Sequence, residues 1–352
     1  LVALNEVGGE PAPPGTTPQA FHARARFRAQ RYPRTLAATA THDHKRGEDT
    51  RMRLLALARH PDAWDASVRA LAEIGEQHRG LHAPARADEF LCYQILAALW
   101  HGADHDALPD RLWTYLQKAS RESKRRTSWI NPDAAYEQAL ERFVRGLLAD
   151  DRLPGAIGPL AATLAADGYS YTLSQTVLKY TTPGVPDLYQ GAELMDLSLV
   201  DPDNRRPVDY AHRRALLEAM QDLLDAPAPD PLRAWIQDGD ERAKYFLTAR
   251  LLRLRRAHPA LFTGGDYHAV EAEGEGAEAW LAALRTHEEA ALLVVVPRGP
   301  AREDVPPAVL RLPETAASAH WRCVLTGEAV EGGPALATRA LPLPWAVLRA
   351  EP

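Results

Sequence analysis

An imidazole and a carboxylate stand side by side at His42-Asp43, where the chain changes character. Before them, Leu36 to Thr41 read as a short buried strand. After them come Lys45, Arg46, Glu48 and Asp49, and Arg51 to Leu57 read as a helix. Strand, His-Asp, polar loop, helix is the order in which (β/α) barrels present chemistry, at the C-terminal ends of their strands. An isolated His-Asp pair is also an ordinary loop pair or helix cap, so it must be weighed with the rest of the chain.

A second polar constellation lies far downstream, at Gly184-Val185-Pro186-Asp187-Leu188-Tyr189-Gln190-Gly191-Ala192-Glu193. Gly184 and Pro186 set a tight entry there, and Gly191 lets the backbone turn. Asp187, Gln190 and Glu193 are candidates to surround a pocket. A third run, Leu197 to Tyr210, holds Asp201-Pro202-Asp203-Asn204-Arg205-Arg206. It reads either as a polar turn cluster or as a rim whose Asp and Arg groups bind hydroxyls. A fourth, from Lys118 to Pro132, is basic and carries Thr127-Ser128-Trp129. Its charges fit a solvated helix face; alternatively they form a sugar-facing wall, with Trp129 either stacking on a pyranose or packed in the core. Glu6, a carboxylate before a Gly-Gly turn, reads as structural.

Ala38 to Asp43 resembles the His-Asp strand-end motif of the α-amylase superfamily, and Gly184 to Glu193 resembles its Gly-x-Pro-x-x-Tyr-x-Gly-x-Glu element. The longer run through Lys45-Arg46 and Glu48-Asp49, the basic Thr-Ser-Trp run and the Asp201 to Tyr210 run are similar to one family within it, the maltooligosyl trehalose synthases. That resemblance implies an intramolecular transglycosylation, which turns the reducing-end α-1,4 bond of a maltooligosaccharide into an α,α-1,1 bond. It implies that Asp43 is the third catalytic carboxylate, which holds sugar hydroxyls. His42, Lys45, Arg46, Tyr189, Gln190, Asp203 and Arg205 are then substrate-binding. No cofactor and no metal is implied, and the partner is a maltooligosaccharide or other α-glucan. Retaining glycosyl transfer also needs a nucleophile and an acid/base about 5–5.5 Å apart. Neither motif is found here, so both are expected on earlier strands, in a missing N-terminal barrel half of the same protein. The chain alone is then expected to be inactive. The alternatives are a hydrolase or 4-α-glucanotransferase of the same superfamily, and a non-catalytic glucan-binding fragment.

The elements that must position these residues are α/β in class: the C-terminal portion of a (β/α)8 TIM barrel with a helical insertion, then an all-β sandwich. Residues 1–50 read as a barrel segment with the His-Asp strand end. Its helix spans Gln19 to Gln30, with Pro18 at the first position. Residues 51–152 read as the insertion, because no strand signal interrupts them and they are too long for a simple loop. Its helices include Trp64, Val68 and Leu71, with Asp62 as cap and Gly75 as stop, then Leu91 to Leu99, Leu112 to Gln117 and Ala134 to Leu148. Residues 153–262 read as the last barrel strand and helices, among them Leu173–Tyr180, Ala211–Leu224 and Arg242–His258, with Asp225 to Pro231 as a rigid connector. From 263 to 352 the period switches to two: a hairpin of Trp280–Leu284 and Ala290–Val296, then Trp321 to Leu325, then Leu341, Leu343, Trp345 and Val347.

Bulk properties narrow the class. The 352 residues suggest about two domains. With 46% hydrophobic and 25% charged residues, a sizeable core can form. A net charge of −6 with interspersed signs disfavours nucleic acid. Two distant cysteines, Cys92 and Cys323, fit a reducing cytoplasm rather than a disulfide scaffold. No apolar run is long enough to span a membrane, so none is expected as a partner.

Overall fold

The computed structural model describes residues 1–9, 15–81, 83–100, 107–301, 306–317 and 319–351. The Pro/Gly-rich loop that the sequence places between Gly9 and Pro18 lies partly outside them. The chain divides into two compact units, one of Leu1–Ala12, His42–Gly168 and Leu197–Arg206, the other of Pro13–Thr41, Tyr169–Asp196 and Pro207–Pro352.

The first unit is helical, as its uninterrupted 3.6-residue periodicity requires. Its helices span Glu48–Ala56, Pro61–His78, Arg86–Leu99, Leu108–Ser123 and Ala134–Leu148. Leu71, Ile74, Tyr93, Ile95, Leu112, Leu116, Leu140, Phe143 and Leu147 supply buried apolar faces. Two helix signals act differently from the expectation. Asp62 does not cap, because Pro61 takes the first helical position and His60 precedes it without a side-chain cap. Gly75 does not stop the helix; it is a buried internal residue. A Cβ there would lie 2.6 Å from the Tyr93 hydroxyl and 3.1 Å from the Phe143 ring. Close packing rather than termination explains this glycine.

The second unit contains the helix Pro18–Arg31, which Thr17 caps by accepting from the Ala20 N–H at 3.1 Å. Strand β1 (Leu36–Ala37) follows and pairs in parallel with β2 (Val185–Pro186). The expected buried strand 36–41 is thus only two residues long, and Leu36 is 74% exposed. A parallel strand is buried when neighbours and layers flank it, and among the described residues this sheet has two strands only. The helix expected over Leu173–Tyr180 is the end of a 29-residue one, Leu153–Thr181, inside which the unit division falls. Further helices span Tyr210–Ala219, Gln221–Asp225, Pro229–Asp238, Arg242–Ala257 and Pro259–Thr263. Pro229 therefore opens a helix in what was expected to be a connector, since proline at the first position forfeits no intrahelical bond.

The remaining strands are β3 (Asp266–Glu273), β4 (Trp280–His287), β5 (Ala290–Pro297), β6 (Val309–Arg311), β7 (His320–Cys323), β8 (Ala329–Val330), β9 (Ala335–Ala337) and β10 (Ala346–Glu351). They form one antiparallel sheet in the order β8-β7-β10-β5-β4-β3-β6-β9, rather than the two sheets of a sandwich. Burial alternates along β7 and β9, while β4 and β5 are buried on both faces through Trp280–Arg285 and Leu292–Pro297; alternation does not show whether the strands share a sheet. Strand β3 makes the join, pairing with β4 through Asp266–Val270 and with β6 through Glu271–Glu273. The strand expected from Leu341 begins only at Ala346, because Pro342 and Pro344 have no N–H to donate to a ladder. Leu284, Leu293, Val295, Trp321 and Leu348 fill the core with Phe246 and Leu251 of the helix Arg242–Ala257.

Candidate active site

In the first unit the polar loop after Thr41 is fixed before it reaches the helix Glu48–Ala56. The Asn204 amide donates to the His42 carbonyl at 3.0 Å. Glu6 accepts from the backbone N–H of Lys45 at 2.6 Å and of Arg46 at 3.3 Å. The Gly47 N–H donates to the Ser198 carbonyl at 2.8 Å, and the Val200 N–H to the Lys45 carbonyl at 3.0 Å. Glu48 and Asp49 open the helix, where the positive end of its dipole favours carboxylates. On this braced loop His42 Nε2 stands 3.6 Å from Asp43 Oδ2, with side chains 60% and 68% exposed. They are turned outward and can meet a ligand. Burial pushes the neighbouring His44 imidazole below its usual range, with Arg51 adding to the effect and Glu6, Asp43 and Glu48 opposing it.

The other expected binding residues of this unit divide by burial. Arg46 is 2% exposed, and its guanidinium donates to the carbonyls of Val2 at 3.0 Å and Asn5 at 2.6 Å and to the Tyr115 hydroxyl at 3.2 Å. It braces the loop and, with Lys45, also lines a groove. Asp203 is equally occupied. It accepts a bidentate pair from Arg111 at 2.9 and 3.0 Å and the Leu199 N–H at 2.8 Å, and it also pairs with Arg206 at 2.9 Å. Arg205 is half exposed and pairs with Asp201 at 3.0 Å. Lys45 stays near solvent, 3.3 Å from Glu122. It lines a groove of about 640 Å³ together with Glu6, Asp88, Lys118, Glu122, Arg125 and Arg126.

In the second unit the Gly184–Glu193 element is positioned from behind. Gly184 has φ +123°, and a Cβ there would lie 3.0 Å from the Thr35 carbonyl oxygen. Gly191 has φ +83°. Both positions suit glycine alone, as the entry and turn require. Arg255 donates to the carbonyls of Tyr180 at 2.9 Å and Gly184 at 2.8 Å. Arg285 donates to the carbonyls of Thr181 at 3.0 Å and Leu261 at 2.9 Å. Burial lowers both guanidiniums to about 10. Beyond the turn Tyr189 is half-buried and Gln190 exposed. Asp187 is partly exposed, and its N–H donates to the Ala37 carbonyl at 3.0 Å. Glu193 is paired with Arg213, whose guanidinium also donates to the Gly191 carbonyl at 2.9 Å. It therefore holds the turn.

No motif singles out Arg111 and Tyr115 as bracing groups, because their partners Asp203 and Arg46 lie many tens of residues away. Glu6 is structural as expected, although its partners could not be foreseen. Among the described residues no group of three or more His, Cys, Asp or Glu could hold a metal ion, and no helix is long and apolar enough to cross a membrane. Cys92 and Cys323 are free and buried.

His42 and Asp43 are thus exposed on a braced loop of the first unit, and the Gly184–Glu193 turn is held from behind within the second. No family model matches the chain. Two curated proteins do, from Mycobacterium tuberculosis strains CDC 1551 / Oshkosh and ATCC 25618 / H37Rv, each called "Putative maltooligosyl trehalose synthase". Each is 38% identical over 337 residues, covering 94% of this chain and 40% of its own length. The structure of maltooligosyltrehalose synthase from Arthrobacter ramosus matches 100% of this chain with 43% of its own, at 36% identity and a TM-score of 0.81. A crystal structure of a maltooligosyl trehalose synthase matches 99% of this chain with 44% of its own, at 28% identity and a TM-score of 0.79. The resemblance carried by the motifs is therefore a relationship along almost the whole chain, and the chain is a relative of the maltooligosyl trehalose synthases. It spans about two fifths of the length of the curated relatives it matches.

Proposed function

We propose that this chain is part of a maltooligosyl trehalose synthase and carries the groups that hold the sugar ring at the reacting bond. The relationship over 94% of the chain is the observation that carries this reading. The parallel register of β1 and β2 supports assigning them to a (β/α)8 barrel, with residues 51–152 as its helical insertion. The reaction breaks the α-1,4 bond next to the reducing end. C1 of the donor ring passes to an enzyme carboxylate, and a proton passes to O4 of the released glucose. That glucose turns over within the site, and its anomeric hydroxyl, giving its proton to the acid/base that had protonated O4, attacks C1, forming an α,α-1,1 bond and freeing the carboxylate. The nucleophile and acid/base are assigned to no residue of this chain; they belong to the barrel half expected to complete it.

In this scheme Asp43, with His42 beside it, binds ring hydroxyls more strongly as the ring flattens toward its oxocarbenium-like transition state. Lys45, Tyr189, Gln190 and Arg205 contact more of the glucan, while Arg46 and Asp203 hold the loops that present them. The two buried thiols suit a cytoplasmic setting. The test is to incubate the complete protein with maltopentaose and assay both a non-reducing product and reducing ends. Non-reducing product without new reducing ends is the expected result. New reducing ends would make it a hydrolase, and glucan retention without turnover a binding protein.

A further inference from the structure

Trp129 lies on the segment 124–133 between the helices Leu108–Ser123 and Ala134–Leu148, with 57% of its surface exposed. Ile130 beside it is 94% exposed. The segment is locked from beneath. The Arg121 guanidinium sits 4.7 Å from the indole centroid and donates to the two oxygens of Glu137 at 2.8 and 2.6 Å. Thr127 Oγ1 donates to Glu137 at 2.6 Å and accepts from the Asp133 N–H at 3.0 Å. Ser128 closes the turn, its hydroxyl oxygen accepting from the Asn131 N–H at 2.9 Å. A buried carboxylate network thus immobilises an indole that remains more than half in water.

A loop ordered in this way gives its aromatic ring little conformational entropy to lose on binding. An aromatic face suits the apolar face of a pyranose, and the ring presents amphipathic contact area. Arg125 and Arg126, exposed at the start of the same segment, line the charged groove and supply donors for hydroxyls. Trp129 itself lies outside the groove lining that holds Lys45.

We infer that Trp129 is a stacking platform for a pyranose of an α-1,4-glucan chain, at a subsite separate from the His42-Asp43 ring. The inference rests on the glucan-acting reading above and is tested by a measurement that needs no turnover. The complete protein and its Trp129→Ala and Trp129→Tyr variants are run by electrophoresis in gels containing amylopectin, which yields a dissociation constant from the retardation. Trp129→Ala is expected to weaken retention about fivefold or more, as loss of a tryptophan contact does. Trp129→Tyr should stay within about twofold of the parent. In kinetics, KM for maltoheptaose should rise in Trp129→Ala while kcat holds and KM for maltotriose changes little. Unchanged retention in Trp129→Ala overturns the inference. So does a drop in thermal midpoint with retention intact, which would mean the indole packs on protein. If the protein makes no non-reducing product yet Trp129→Ala still loses amylopectin retention, the proposed reaction fails and the platform stands.

Discussion

Asp43 and Arg46 stand three residues apart and have opposite fates. Asp43 is exposed on a braced loop, so its removal should cost chemistry rather than folding. Asp43→Asn in the complete protein is expected to lower kcat on maltopentaose at least about a hundredfold, the scale of losing a charged hydrogen bond made in the transition state. Its unfolding midpoint should not move; a variant with a tenth or more of the parent rate would end the assignment. Arg46 is buried against Glu6, whose side chain is 7% exposed. Arg46→Met should destabilise by about 3 kcal/mol, because it leaves Glu6 and the carbonyls of Val2 and Asn5 without their cation. Adding Glu6→Gln should recover part of that loss in urea unfolding. Glu137 supplies a pH test. Hydrogen bonds, from Arg121 first and from Thr127 and Gln117, lower its carboxyl to about 2. A carboxyl lowered on folding stabilises above its ordinary value of 4.5, and that contribution is lost as pH falls toward 2. Glu137→Gln should therefore flatten the dependence of stability on pH between 4.5 and 2.

At the scale of elements, Gly75 shows packing prevailing over propensity. Alanine is the better helix former by about 1 kcal/mol. Its methyl, however, would meet the Tyr93 hydroxyl and the Phe143 ring between the helices Pro61–His78, Arg86–Leu99 and Ala134–Leu148. Gly75→Ala is expected to lose about 1–3 kcal/mol by overpacking, measured as a lower urea midpoint; a gain would mean that the interface yields. The turn after β2 depends on another element in the same way, since Arg255 from the helix Arg242–Ala257 holds the carbonyls of Tyr180 and Gly184.

At the scale of the whole molecule the chemistry needs more carboxylates than Asp43. Two carboxylates of a retaining mechanism are assigned to no residue here, and Asp43 cannot serve as both nucleophile and acid. The 352-residue chain by itself is expected to give neither trehalose-capped product nor new reducing ends from maltopentaose, whereas the complete protein gives the former. Turnover by the purified chain, surviving removal of host amylase, would send the search for the catalytic carboxylates back to Glu48, Asp49, Asp187 and Glu193.

Sequence alone determined what local patterns encode. The helix Ala134–Leu148 has the bounds its periodicity predicts, and the hairpin of β4 and β5 turns at Glu288-Glu289, the polar stretch between two apolar runs. Glycine at 184 and 191 permits the positive φ found there, and the kinship with the synthases was legible in the motifs themselves. Tertiary structure alone decided which polar residues face solvent. His42, Asp43, Arg46 and Asp203 share one chemical vocabulary, yet Arg46 and Asp203 are buried by Val2, Asn5, Tyr115 and Arg111, partners tens of residues away. It also decided that the alternating strands form one sheet, that Gly75 sits inside a helix, and that Trp129 is outside the core. Periodicity records which side of an element is apolar. Burial, pairing and exposure depend on which other elements arrive there, and no spacing along the chain encodes that.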